Sequence, residues 1–250
     1  MKKEKIMNNQ ATIEKMQEMK LLGMHRAFKD TLQNSMSDKL TPDELLSHLI
    51  EAEWDYRYNR KLDRLISNAK FRFKASMAEI DYDPARKLNK NKLMRLSQCN
   101  WIEKGENIII NGATGAGKSF LACALGYKAC AHKFKVMYHN CLKLFSQLKY
   151  AKVDGTYFKE IKKIKKQDLI ILDDFGLKKL DADSRLMLLE ILEDRQGIKS
   201  TIISTQIPFK KWFDVIGDPT IADAICDRLI HGSHKIDIHG KDSMRKKKNK

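Results

Sequence analysis

Residues 112–119 read Gly-Ala-Thr-Gly-Ala-Gly-Lys-Ser and match the spacing G-x-x-x-x-G-K-[ST] in full. Glycine lets the backbone curl tightly, so that neighbouring N–H groups converge and cradle phosphate oxygens. The stretch behind the loop, FLACALGYKAC, is compatible with a helix, whose N-terminal end adds the positive pole of its dipole to the cradle. Lys118 would neutralise the β- and γ-phosphates of a bound nucleotide. Ser119 would offer its hydroxyl to Mg2+, the hard cation that accompanies nucleoside triphosphates. Gly112, Ala113, Thr114, Gly115, Ala116, Gly117, Lys118, Ser119 and Phe120 are therefore the expected nucleotide contacts.

Two further segments carry polar residues at the ends of apolar runs. In LIILDDFG, residues 169–176, Asp173 would hold the Mg2+ water shell, and Asp174 would orient and polarise an attacking water as general base. In TIISTQIP, residues 201–208, the run ends in Thr205 and Gln206. By analogy with P-loop sheets that carry an additional strand, this strand lies between those leading to the glycine loop and to the paired acids, so Gln206 would face the γ-phosphate.

These residues need a scaffold that brings strand ends together. Short β-branched runs at 108–110, 136–138, 169–172, 201–204 and 236–238 alternate with stretches long enough for crossover helices, which predicts an α/β domain with a five-stranded parallel sheet. Before it, residues 10–80 read as helical, with a capping box at Thr41-Pro42-Asp43-Glu44 that starts a helix. Ile13, Met16, Met19 and Met24 suggest an earlier helix packed in a small bundle. Leu46, Ile50, Trp54 and Tyr58, widened by Leu45 and Leu49, predict the packing face of the capped helix. Composition divides the chain into a helical domain (1–83), a basic linker (84–104), a nucleotide-binding core (105–240) and a basic tail (241–250).

The net charge of +16 implies a polyanionic partner. Arg57, Arg60, Lys61 and Arg64 recur every three or four residues on one helix face, and Lys162, Lys163, Lys165 and Lys166 cluster before the paired acids; both sets are candidate DNA contacts. The five cysteines show no CxxC spacing, which argues against a zinc site or disulfide framework. The first residues lack the apolar core of a signal peptide, and no apolar run reaches the ~18 to 20 residues of a membrane span, so a cytoplasmic chain is expected.

With these motifs the chain resembles the IstB family, ATP-binding helper proteins of insertion sequences, within the AAA+ class of P-loop NTPases that includes the helicase loader DnaC and the initiator DnaA. The resemblance extends from MKLLGMHRAFKD and TPDELLSHLIEAEWDYRYNRKLDRLI to KKWFDVIGDPTIADAICDRLIHGSHKIDIHGKDSMRKK, the segment that separates this family from other P-loop ATPases. It implies a DNA-binding AAA+ ATPase that assembles on double-stranded DNA as a homo-oligomer (ring, spiral or filament) and directs an IstA-type transposase. It further implies that Arg228, in CDRLI, reaches the nucleotide site of a neighbouring subunit and stabilises charge on the transferring phosphoryl group. Two departures stand out: Asp173-Asp174 replaces the Asp-Glu common in the class, which implies slow or DNA-stimulated hydrolysis, and the usual helical lid is expected to be absent or reduced. A DnaC-like helicase loader, a small-molecule kinase and a DNA-binding module with a vestigial nucleotide site are the alternatives.

Overall fold

In the computed structural model of the chain, residues 2–34, 39–240 and 244 are described. The chain divides into two compact units, Met1–Arg64 and Leu65–Lys250.

The first unit is helical: α1 (Lys2–Glu18), α2 (Leu22–Gln33) and most of α3 (Pro42–Ala69). Thr41 and Glu44 form the expected reciprocal cap on α3, with Thr41 N donating to Glu44 at 2.8 Å and Glu44 N to Thr41 Oγ1 at 3.3 Å. The helical reading of 10–80 is corrected at two points. Lys20 adopts a left-handed φ of 59° and splits the first segment into α1 and α2, and Lys70 at φ 53° ends α3 well before residue 80.

The packing face of α3 is also corrected. Leu46, Ile50 and Trp54 are exposed, whereas Leu49 and Glu53 are buried. Glu53 turns inward because α2 begins without a side-chain cap of its own. The carboxylate accepts from Gly23 N at 2.7 Å and Met24 N at 3.2 Å, satisfying free amides at the positive end of α2, and Arg57 neutralises it at 2.6 Å. A polar capping contact thus selects the face that apolar periodicity alone assigned to its neighbour.

The second unit opens with an irregular stretch and two 3-10 turns, Met77–Glu79 and Pro84–Arg86, followed by α4 (Lys90–Leu96) and α5 (Asn100–Glu103). Residues 84–104, expected as a linker, are folded: Leu93, Leu96, Trp101 and Ile102 are all buried. The division into units falls at Arg64/Leu65, ahead of the compositional boundary near residue 83.

The sheet contains the five expected strands, β1 (Asn107–Gly112), β2 (Val136–Asn140), β3 (Leu169–Phe175), β4 (Ser200–Thr205) and β5 (Ser233–Ile238), all parallel, in the order β2-β3-β4-β1-β5. Crossovers run through α6 (Lys118–Ala131), α7 (Cys141–Val153), α8 (Tyr157–Lys165), α9 (Ala182–Glu193), α10 (Trp212–Ile216) and α11 (Pro219–Ile230). One sheet face, with Ile109, Ile170, Leu172 and Ile203, packs against Leu144, Leu148, Leu188, Ile191, Ile225 and Leu229 of α7, α9 and α11. The other lies under α6, where Gly126 leaves room for Ile171. Covering on both faces is why these strands read as unbroken apolar runs.

At the N-terminal end of the sheet the buried Arg195 guanidinium donates to the carbonyls of Ile164, Gln167, Asp168 and Ser200, which a neutral side chain could not gather together. All five cysteines are reduced and buried. No helix among the described residues is long and apolar enough to cross a membrane. The expectations for the tail and a reduced lid fall on residues 241–250, which apart from Met244 lie outside the described residues.

Candidate nucleotide site

The sheet order places β4 between β3 and β1, so the glycine loop, the paired acids and Gln206 all emerge from neighbouring strand ends. This is the carboxyl end of an open α/β sheet, where ligands bind. The loop turns through Gly115 at φ 82° and Gly117 at φ 94°, conformations that only glycine enters without strain. Gly117 is the N-cap of α6 and supplies no side chain, leaving the first amides of the helix directed at an anion. Lys118, nearly buried, folds its Nζ onto the Ala113 carbonyl at 2.9 Å. Arg86 buttresses the loop from below, donating to the Ala116 carbonyl at 2.7 Å.

The acids are held by a dense set of donors. Asp173 is 0% exposed. Its Oδ1 accepts from Ser119 Oγ at 2.9 Å and from Ser204 Oγ, while its Oδ2 accepts from Tyr138 OH at 2.5 Å. Burial, then the hydrogen bond to Asp173, pushes the Tyr138 phenol well above its usual range, so it remains a donor. Asp174 follows in a left-handed conformation, φ 59°, where the β3–β4 register shifts between Leu172 and Phe175. Such an irregularity re-aims a side chain. Its Oδ2 accepts from Asn140 Nδ2 at 2.9 Å and from Arg72 Nη1 at 3.3 Å, and Arg72 also lies 3.6 Å from Asp173. On the far side, Gln206 Oε1 accepts from Thr114 Oγ1 at 2.5 Å, tying the β4 end to the loop.

A cavity of about 420 Å³ runs along the loop. Its lining combines polar groups, among them Thr114, Lys118, Ser119, Asp174 and Gln206, with the apolar side chains of Phe73, Ile80, Leu88, Phe120 and Leu177. A mixed lining of this kind suits a nucleotide, whose phosphates need polar partners and whose base needs apolar ones. The oxygen donors of Ser119 and Asp173, in hydrogen-bonding contact, suit Mg2+, which takes few protein ligands and completes its shell with water and phosphate. A second, more open cavity of about 900 Å³ meets the first at Asp174 and is lined by Lys70, Arg72, Tyr138, His139, Asn140 and Lys143.

Lys118, Ser119, Asp173, Asp174, Gln206 and Phe120 are thus brought together, as expected. Arg228, expected to serve a neighbouring subunit, donates within its own chain to Glu193 at 3.2 Å and to the Ala224 carbonyl at 2.9 Å. Among the candidate DNA contacts, Arg57 is engaged with Glu53, Lys163 with Glu160 and Lys165 with Asp194, while Arg60, Lys61, Arg64, Lys162 and Lys166 have exposed side chains. Reading motifs alone missed Tyr138, Asn140, Ser204, Arg72 and Arg86. Asn140 and Ser204 sit at strand C-termini, a signal that could have found them, whereas Tyr138 stands mid-strand in β2; the two arginines come from stretches read as helix and linker.

Fold and site together define a nucleotide-binding P-loop protein of the AAA+ class. The profile of the IstB-like ATP binding protein family matches residues 14–250, and the chain belongs to that family. It is 43% identical over 239 residues to the insertion sequence ATP-binding protein y4pL of Sinorhizobium fredii, covering 96% of this chain and 98% of that one. It is 34% identical over 203 residues to the ATP-binding protein of insertion sequence IS1162 of Pseudomonas fluorescens, covering 81% and 88%. Among solved structures the fold is similar to that of the DnaC helicase loader, with a TM-score of 0.59 at 19% identity over 68% of this chain and 99% of that one.

Proposed function

We propose that the chain is an ATPase that assembles on double-stranded DNA in an ATP-dependent way and directs or stimulates the transposase of its insertion sequence. One observation carries the ATPase reading: the glycine loop, Asp174 and Gln206 line one cavity, with Thr114 bound to Gln206 and the buried Asp173 bound to Ser119 of that lining. In this reading the loop amides and Lys118 hold the β- and γ-phosphates. Ser119 and Asp173 hold Mg2+, which when bound neutralises phosphate charge. Asp174 takes the proton of the attacking water, and Gln206 orients that water or the γ-phosphate.

Membership of an insertion-sequence family favours a transposition role. The helicase-loader alternative draws on the fold alone. The charge of +16 supports a DNA partner bound mainly through phosphates, with little sequence readout. Arg228 would serve a neighbouring subunit by exchanging Glu193 for a phosphate; its buried Nε has no hydrogen-bond partner among the described residues, consistent with a group that is incompletely committed at home.

The deciding experiment is ATP hydrolysis by the purified protein with and without double-stranded DNA, with Lys118→Ala as control. Stimulation by DNA that disappears in the variant supports the reading; turnover indifferent to DNA rejects the coupling. An Arg228→Ala protein that still assembles on DNA with ATP rejects the subunit-bridging role.

A further inference from the structure

Both oxygens of Asp173 have partners: Ser119 and Ser204 donate to Oδ1 and Tyr138 to Oδ2, and the Arg72 guanidinium stands 3.6 Å from Oδ2 as an ion-pair partner beyond hydrogen-bond length. Three of these partners are fixed on regular elements: Ser119 on α6, Ser204 on β4 and Tyr138 on β2. Arg72 instead lies in an irregular stretch, its side chain is 40% exposed, and at 3.6 Å it makes the longest of the four contacts. Its backbone is pinned, because Phe71 stacks on Tyr127 of α6 at 4.6 Å and Phe73 lies 6.5 Å from Phe120. The long side chain can therefore move while its anchor stays. The neighbouring Phe73 ring, 5.3 Å from the guanidinium carbon, offers it a cation–π contact independent of the acids.

We propose that Arg72 is a latch on the paired acids: its guanidinium competes with the Mg2+ water shell for Asp173 and caps the Asp174 oxygen required for water activation. The inference rests on the ATPase reading above and adds a regulatory cation to that site. Both acids are affected by one side chain, since the same Nη1 reaches Asp174 at 3.3 Å. Displacing it removes a competing positive charge from beside Asp173 and leaves Asn140 as the sole remaining side-chain donor on Asp174 Oδ2 among the described residues. A guanidinium beside the acids would repel a divalent ion held there, so the latched position and metal binding disfavour one another.

The test is a Mg2+ titration of binding of a fluorescent, non-hydrolysable ATP analogue, alongside ATP turnover, for wild type, Arg72→Gln and Arg72→Lys. The latch predicts that Arg72→Gln lowers the half-saturating Mg2+ concentration about tenfold, equivalent to about 1.4 kcal/mol, and raises turnover without DNA. Arg72→Lys, which keeps the charge, should stay close to wild type in metal dependence. Unchanged metal dependence with reduced turnover would make Arg72 a catalytic group acting in cis and overturn the latch. Unchanged metal dependence and turnover would also overturn it, leaving the ATPase reading intact. If the wild-type chain binds the analogue no better than Lys118→Ala, the ATPase reading fails, and the latch fails with it.

Discussion

Tyr138→Phe removes a single oxygen from a packed ring and isolates the worth of one donor to the Asp173 carboxylate. The hydroxyl donates at 2.5 Å to an oxygen of a residue that is 0% exposed. A hydrogen bond to a charged group contributes about 1.5–3 kcal/mol, and a buried acceptor that loses it carries most of that cost. The loss is tempered because Ser119 and Ser204 still serve Oδ1 and Arg72 remains near Oδ2. We therefore expect a destabilisation near the lower end, about 1.5–2 kcal/mol, which for a unit of this size lowers Tm by roughly 3–8 °C. Thermal unfolding followed by circular dichroism, with urea titration as a second probe, measures it. Tyr150→Phe is the control, since Tyr150 is 76% exposed and its change should stay within about 0.5 kcal/mol. If Tyr138→Phe is as stable as the control, Asp173 does not depend on its donor shell and the account of the site given above is wrong.

Three other outcomes follow from the same reasoning. Gly23→Ala should destabilise the helical unit by about 1–3 kcal/mol, because its Cβ would stand 2.3 Å from the Ala52 carbonyl oxygen and 2.6 Å from Glu53 Cα; helical signal at unchanged urea midpoint would refute the close approach of α2 and α3. Burial, reinforced by the charge of Lys70, pushes the His139 imidazole down to about 4. The unfolded chain therefore binds the extra proton first, so this stabilisation is present above about pH 6.5 and is lost as pH falls toward 4, up to about 3 kcal/mol in all; His139→Gln should flatten that part of the stability profile. Replacing the exposed Lys162 and Lys166 with Gln should reduce the slope of log affinity for DNA against log salt by about 2 if both meet phosphates, and an unaltered slope removes them from the DNA path.

What could be read from the sequence follows the physics of each element. Strands covered on both faces announce themselves as runs such as Leu169-Ile170-Ile171-Leu172, and the phosphate loop is recognisable because its function lies in the backbone and demands glycine at fixed places. The capping box on α3 was equally legible, being local. Contacts between residues remote in sequence were not. Arg72 meets Asp174 across 102 positions, and nothing around Arg72 distinguishes it from the other basic residues of its stretch. The face of α3 was misassigned because an apolar stripe is a statistical signal, whereas the inward turn of Glu53 answers to the bare amides of a different helix. Arg228 illustrates a third case: family resemblance supplies a role between subunits, and the single chain supplies the Glu193 contact that such a role must break.

The burial of all five cysteines has a practical consequence. Thiol reagents attack the thiolate, and desolvation pushes Cys123 and Cys226 up to about 11 and Cys99 and Cys130 up to about 12. Near neutral pH the native thiols are therefore slow targets as well as sheltered ones. A cysteine introduced at an exposed position such as Tyr150 or Val153, at the rim of the cationic cavity or just beyond it, would take a fluorophore selectively in the otherwise unaltered chain. The protein comes ready for single-site spectroscopy, without the cysteine-free background that such labelling usually requires.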